Sequence, residues 1–285
     1  KLPKYEITND PTKLKMIPPA PFLQAIGQID TERLFSSKTY FFSDEELNGE
    51  YSRVETSMLA QHMYGVIADL WLIRDNSINQ RNLYSSVVEF SEGRGRSVSL
   101  DIRTATETVF NASGEQHETT YTVDEIIKAS EYEKRLARFR TPFLTPPPVI
   151  PEVVPFKGLS LGIRGYNTYN RIERAQYFLM NARQTFLLPM KISLYCCIYE
   201  CLFSTETSEI THKIAERTAL FVGQGYEDKK EIFSFIKKAY GIRSKFFHGD
   251  KLPKDDDRNL KETAVKLDSL TRKEFVSIGS LGTNI

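Results

Sequence analysis

The stretch Ala239-Tyr240-Gly241-Ile242-Arg243-Ser244-Lys245-Phe246-Phe247-His248-Gly249-Asp250 closes a run in which Ile232, Phe233, Ile236, Ala239 and Tyr240 recur at helical spacing. Such spacing predicts an amphipathic helix with one face in a core. Gly249 is placed to end that helix, because a residue without Cβ takes the left-handed conformation at little cost. Arg243 and His248 then fall near the helix end, beside carbonyls that lack intrahelical partners and favour positive charge.

The apolar face of this helix calls for other helices to cover it, and the flanking sequence supplies them. Residues 171–185 place Ile172, Ala175, Phe178, Leu179 and Ala182 on one side, and Pro189 suits the first turn of the next helix. Residues 191–203 are apolar on most faces, as a central bundle helix should be. Helices are also predicted over 208–222, with Gly223 as the stop, over 228–248 and over 257–275, with a loose tail from 277 to 285. Five helices joined by short loops make an antiparallel bundle the economical arrangement.

Further toward the N-terminus the pattern changes. Pro142, Pro146, Pro147, Pro148, Pro151 and Pro155, six of the thirteen prolines, favour an extended semi-rigid connector. They divide the chain into an N-terminal domain (1–141), a linker (142–157) and a helical domain (158–285). Within the first, Thr122-Val123-Asp124-Glu125 is a capping box that opens a helix to about residue 138. Residues 84–90, 97–104 and 107–111 read as strands of an antiparallel meander, with Val98, Leu100 and Ile102 alternating with Ser99, Asp101 and Arg103. The Gly93-Arg94-Gly95-Arg96 turn joins two of them. Leu70 to Ile73 reads as a buried strand followed by a turn at Asp75-Asn76-Ser77, and Ser43 to Leu47 as a short helical turn. Prolines 3, 11, 18, 19 and 21 interrupt the lead-in. The fold class is therefore α+β, with a mixed N-terminal domain and an all-α C-terminal bundle.

Hydrophobic residues make up 40% and charged residues 26% of the 285, the balance of a globular domain rather than a disordered chain. A net charge of +1 argues against wholesale binding of polyanions, although 13 Lys or Arg against eight acids between residues 229 and 274 leave a local basic patch. No apolar run approaches the roughly 18 residues of a membrane span, and Lys1 reads as a trimmed start without a signal peptide. Cys196, Cys197 and Cys201 share one apolar helical run, too close on one helix for disulfides and without His or Asp at metal-ligand spacing. They read as inert thiols of a reducing, cytoplasmic compartment. Phosphate-loop, dinucleotide-binding, His-Glu-x-x-His and Cys-x-x-Cys signatures are all missing, and no cofactor is implied.

The string Tyr-x-x-Arg-Ser-x-x-x-His-Gly at 240–249, read with Glu200-Cys201-Leu202-Phe203 and Lys213-Ile214-Ala215-Glu216-Arg217-Thr218-Ala219, resembles the HEPN superfamily and, within it, the Apea-like branch. The likeness covers the C-terminal part of the chain and leaves the N-terminal half unrecognised. It implies a helical bundle that pairs as a homodimer, with Arg243 and His248 facing a cleft between protomers and acting as a metal-independent endoribonuclease. Such enzymes serve as RNase toxins in antiphage defence, with the N-terminal domain sensing or restraining and a regulatory protein as a further partner. The alternative is a noncatalytic module that binds nucleotide, RNA or a protein partner. Many active members carry Asn, Asp or His directly after the Arg, where this chain has Ser244.

The residue types suit the chemistry. Cleaving an RNA phosphodiester without a metal needs a proton-transfer group, which an imidazole supplies, and a fixed cation at the phosphate, which a guanidinium supplies. A regular helix sets Arg243 and His248 about 140° apart, so convergence needs a distorted helix end or an Arg that reaches around. The plainer alternative is that Arg243 caps carbonyls or pairs with Glu200 and that His248 is an ordinary helix-end residue. Glu200, in an apolar helix, needs a partner in Arg217 or Arg243. Tyr240 serves either as a core aromatic or as a hydroxyl in the site, while Lys237, Lys238, Lys245 and Lys251 flank the motif as candidate RNA contacts.

Overall fold

The computed structural model describes residues 6–10, 12–13, 20–42, 65–79, 82–91, 95–104, 108–139, 169–205, 209–251 and 254–281. Most of them are helical, and the strands present are antiparallel. The proline tract at 142–157, the segment at 43–47, His62, Gly93, Arg94 and the last four residues lie outside this set. Two compact units emerge, one from residues 1–68 with 79–107 and the other from 69–78 with 108–285.

The first unit contains β1 (Glu6–Thr8), α1 (Ala20–Phe35), β2 (Tyr40–Phe42), β3 (Asn82–Ser91) and β4 (Gly95–Thr104). β1 pairs with β2, and β3 with β4 in a hairpin whose register runs from Asn82 opposite Thr104 to Ser91 opposite Gly95. The predicted strands at 84–90 and 97–104 lie within this hairpin. Ile102, expected on an inner face, is 38% exposed. Gly27 breaks α1 with φ 79° and ψ 170°, a conformation closed to residues with a Cβ. Asp30 of α1 accepts from Asn82 Nδ2 at 3.1 Å and from the Tyr84 hydroxyl at 3.2 Å, while Phe22 meets the Tyr84 ring edge-on.

The second unit is the bundle. It contains a 3-10 turn at Leu70–Leu72, α2 (Val123–Ala137), α3 (Arg171–Gln184), α4 (Leu188–Phe203), α5 (Ile210–Val222), α6 (Gly225–His248) and α7 (Lys254–Ser280). α4 lies at its centre, packed on α3, α5, α6 and α7, and Ile192, Tyr195, Cys196, Ile198 and Tyr199 are fully buried. The predicted capping box closes on Thr122 and Glu125. A second, at Asn170 and Glu173, opens α3.

Four sequence expectations are corrected. Leu70 to Ile73 is not a strand: Ile73 N donates to Leu70 O at 3.1 Å, closing a 3-10 turn that packs against α2 and α7. Residues 108–111 add no strand, because Phe110 N donates to Arg183 O and Asn111 N to Glu115 O. α7 continues to Ser280 through the expected loose tail, with Ile278 buried. The division at the proline tract also differs from the packing, which gathers 69–78 and α2 into the bundle's unit. The cause is burial: Trp71, Leu72 and Leu136 belong to the bundle's own core.

Asp268 fixes that arrangement. Its Oδ1 accepts from Trp71 Nε1 and from the Tyr195 hydroxyl, both at 2.7 Å, and its Oδ2 pairs with Arg272. Arg272 Nε donates to Trp71 O at 2.7 Å. Lys191 is fully buried and donates Nζ to Ala182 O at 2.6 Å, and burial draws its pKa down to about 8. Glu274 is also fully buried, and neither carboxyl oxygen has a hydrogen-bond partner.

Among the described residues, no helix is long and apolar enough to cross a membrane.

Candidate functional site

α6 ends as its sequence predicts. Gly249 takes φ 76° and ψ 14°, Asp250 N donates to Lys245 O at 2.9 Å and Gly249 N to Phe246 O at 3.3 Å. These bonds satisfy the last carbonyls and hold the chain at His248 in one path.

Arg243 is held by a carboxylate and two aromatic rings. Its Nη1 lies 2.9 Å from Glu200 Oε1 and its Nη2 3.5 Å from Oε2, a two-pronged pair across α4 and α6. The guanidinium carbon sits 5.7 Å from the Tyr240 ring centre and 5.8 Å from that of Phe247. The pair is part-buried, with Arg243 31% and Glu200 29% exposed. Burial is the largest single influence and works against the Arg243 cation, but the Glu200 carboxylate together with Cys197, Cys196 and Tyr240 outweighs it, and the pKa is raised. Its Nε is buried without a hydrogen-bond partner. Of five guanidinium hydrogens two face Glu200, and the Cys197 thiol also bonds to the Arg243 side chain.

Of the two partners weighed for Glu200, the structure selects Arg243. Arg217 instead donates to Phe203 O at 2.5 Å and to Thr205 Oγ1 at 2.8 Å. Tyr240 takes the core role: it is buried, and its hydroxyl donates to Cys196 O at 3.1 Å. All three cysteines are free. Burial pushes each thiol pKa up, that of Cys201 to about 11, and at Cys197 it prevails over the nearby Arg243 cation.

Arg243 and His248 line one open cleft of about 410 Å³, together with Thr211, Tyr240, Ser244 and Phe247. The helix stays regular through His248, so the joining is done by side-chain reach. Arg243 lies against the Tyr240 and Phe247 rings, and Ser244 falls between Arg243 and His248 in order around the helix. Thr211, from the start of α5, is the lining residue that comes from outside α6. Its residue type and position carried no signal in the sequence, because only the antiparallel packing of α5 on α6 brings it there.

The four lysines do not gather. Lys237 is exposed on the cleft's side of α6, seven residues before Ser244. Lys238 and Lys245 are turned about 100–120° away around the helix. Lys251 is exposed beyond the cap. His212 meets the Phe233 ring edge-on at 5.1 Å, and His117 Nδ1 lies 3.0 Å from Asn111 Nδ2.

The arrangement offers an oriented cation, an exposed imidazole and a hydroxyl around one opening, which suits a phosphate group. Comparison of the chain with family models, with curated proteins and with solved structures gives no match.

Proposed function

We propose that the bundle is a metal-independent endoribonuclease of the HEPN type, acting as a homodimer in the cytoplasm, in the manner of RNase toxins of antiphage defence. The supporting observation is that Arg243 and His248 line one cleft while Glu200 and two aromatic rings hold the Arg in place. In this reading the RNA 2′-hydroxyl attacks the adjacent phosphorus and the bond to the 5′-oxygen breaks. An imidazole removes the hydroxyl proton, and a second protonates the leaving oxygen. Arg243 neutralises the charge that builds on the nonbridging oxygens. Each chain supplies one such His, so two copies of the cleft would provide both proton carriers. The products are a 2′,3′-cyclic phosphate and a 5′-hydroxyl.

A second reading is favoured by Ser244 and by the neutralisation of Arg243 within the Glu200 pair. The same cleft would then bind nucleotide, RNA or a partner without cutting.

Incubation of the purified protein with transfer RNA in EDTA, followed by analysis of the fragment ends, separates the two readings. Fragments ending in cyclic phosphate support the enzyme. Intact RNA, together with thermal stabilisation by nucleotide, supports the binding module.

A further inference from the structure

The cleft draws its lining from α6 except at Thr211, which stands in the first turn of α5. Capping is the usual task of a threonine at a helix start, but Thr211 does not perform it. The N-cap of α5 is Glu209, and its side chain makes no capping hydrogen bond. Nor is the Thr211 hydroxyl engaged elsewhere: among the described residues neither Thr211 nor Ser244 has a hydrogen-bond partner. Serines on the helices of this bundle do otherwise. Ser193 of α4, Ser234 of α6 and Ser280 of α7 each donate to the carbonyl four residues back, the ordinary use of a hydroxyl inside a helix.

These two hydroxyls share their opening with Arg243, which Glu200 holds in place. A cation and two O–H groups without partners form a set of donors, and what completes such a set is a negatively charged acceptor. A carboxylate presents its oxygens in one plane. A phosphate presents them tetrahedrally, so it can meet donors that arrive from two different helices. The volume of about 410 Å³ exceeds what an anion alone fills and lies within the range of small-molecule sites, which suits a phosphate carried on a nucleoside.

We propose that Thr211 is a specificity-determining residue of the cleft, donating its hydroxyl to a phosphate oxygen of a bound nucleotide while Arg243 balances the charge of the same group. The inference rests on the ribonuclease reading for the fate of that phosphate but not for its recognition. Because the contact comes from α5, recognition depends on the packing of α5 against α6 and not on the α6 motif alone.

The test is calorimetric titration of the full chain with adenosine 3′-monophosphate, with adenosine and with inorganic phosphate. The parent should bind the nucleotide at least about tenfold more tightly than adenosine, as expected where a charged group accepts hydrogen bonds. Thr211→Val keeps the shape of the side chain and removes the donor, so nucleotide affinity should fall by about tenfold while that for adenosine stays unchanged. Thr211→Ser keeps the donor and should remain within about threefold of the parent. Equal melting temperatures of the three chains exclude a folding effect. On RNA, Thr211→Val should raise KM with kcat nearly unchanged, the mark of a contact made before the chemical step as well as during it. The proposal is overturned if the parent does not favour the nucleotide over adenosine, or if inorganic phosphate binds as tightly as the nucleotide. It is equally overturned if Thr211→Val matches the parent or if Thr211→Ser weakens binding as much as Thr211→Val. RNA cut equally by the parent and by Thr211→Val would remove the role of Thr211 and leave the enzyme. Loss of nucleotide affinity in Thr211→Val, in a protein that cuts no RNA, would do the reverse.

Discussion

At the residue scale, the cleft depends on one ion pair and one imidazole. Glu200→Gln removes the charge that holds Arg243 while keeping the shape of the side chain. Cleavage should fall by about tenfold or more, and the pairing of chains, measured by sedimentation, should be unaffected. Glu200's need of a partner was legible because a carboxylate in an apolar helix requires one, whereas Arg243 and His248 stood out only through the motif they share with the family the chain resembles. Thr211 was not legible, since a threonine in the first turn of a helix has no such tension. Glu274 misled in the opposite direction. In the sequence it is one more charge on a solvated helix, but in the fold it is fully buried, and desolvation raises its pKa well above the usual carboxylate range. The sign of the consequence follows. A carboxyl whose folded pKa exceeds its unfolded one favours the fold fully below the unfolded value of about 4.3, and this contribution is lost as pH rises through the folded value. Glu274→Leu should therefore raise stability at neutral pH by about 1–3 kcal/mol. In urea melts the parent should lose stability as pH rises from 4 toward 8 relative to the variant. Parallel pH curves would contradict this.

At the element scale, α6 positions the site through its end. Gly249 holds φ 76°, which costs a residue with a Cβ about 1 kcal/mol or more. Gly249→Ala should lower stability by that amount in denaturant melts, and Gly249→Asn by less, because Asn tolerates the left-handed region. This stop was plain in the sequence, as were the capping box at Thr122 and the apolar spacing of α3 to α7, since all three are local devices. The error at Leu70 to Leu72 has a nonlocal cause. A short apolar run fits a buried strand or a buried turn equally well, and what decided it was the Asp268 carboxylate, 197 residues away, accepting from the Trp71 indole. Trp71→Ala should destabilise the bundle by about 3–5 kcal/mol, measured by thermal or urea unfolding.

At the whole-molecule scale, the bundle does not begin where the prolines suggest. Its unit includes residues 69–78 and 108–139, whose Trp71, Leu72 and Leu136 complete the core. A fragment of residues 158–285 should therefore be markedly less stable than the full chain by thermal unfolding, and a fragment as stable as the parent would refute this. Proline content marks where regular structure stops, but it carries no information about which segment packs on which core. The central claim, that Arg243 and His248 cut RNA without a metal, is tested most directly by incubating the protein with cellular RNA in EDTA beside Arg243→Ala and His248→Ala chains of matched oligomeric state. The account predicts fragments from the parent and intact RNA from both variants. Fragments from all three, or intact RNA throughout, would contradict it.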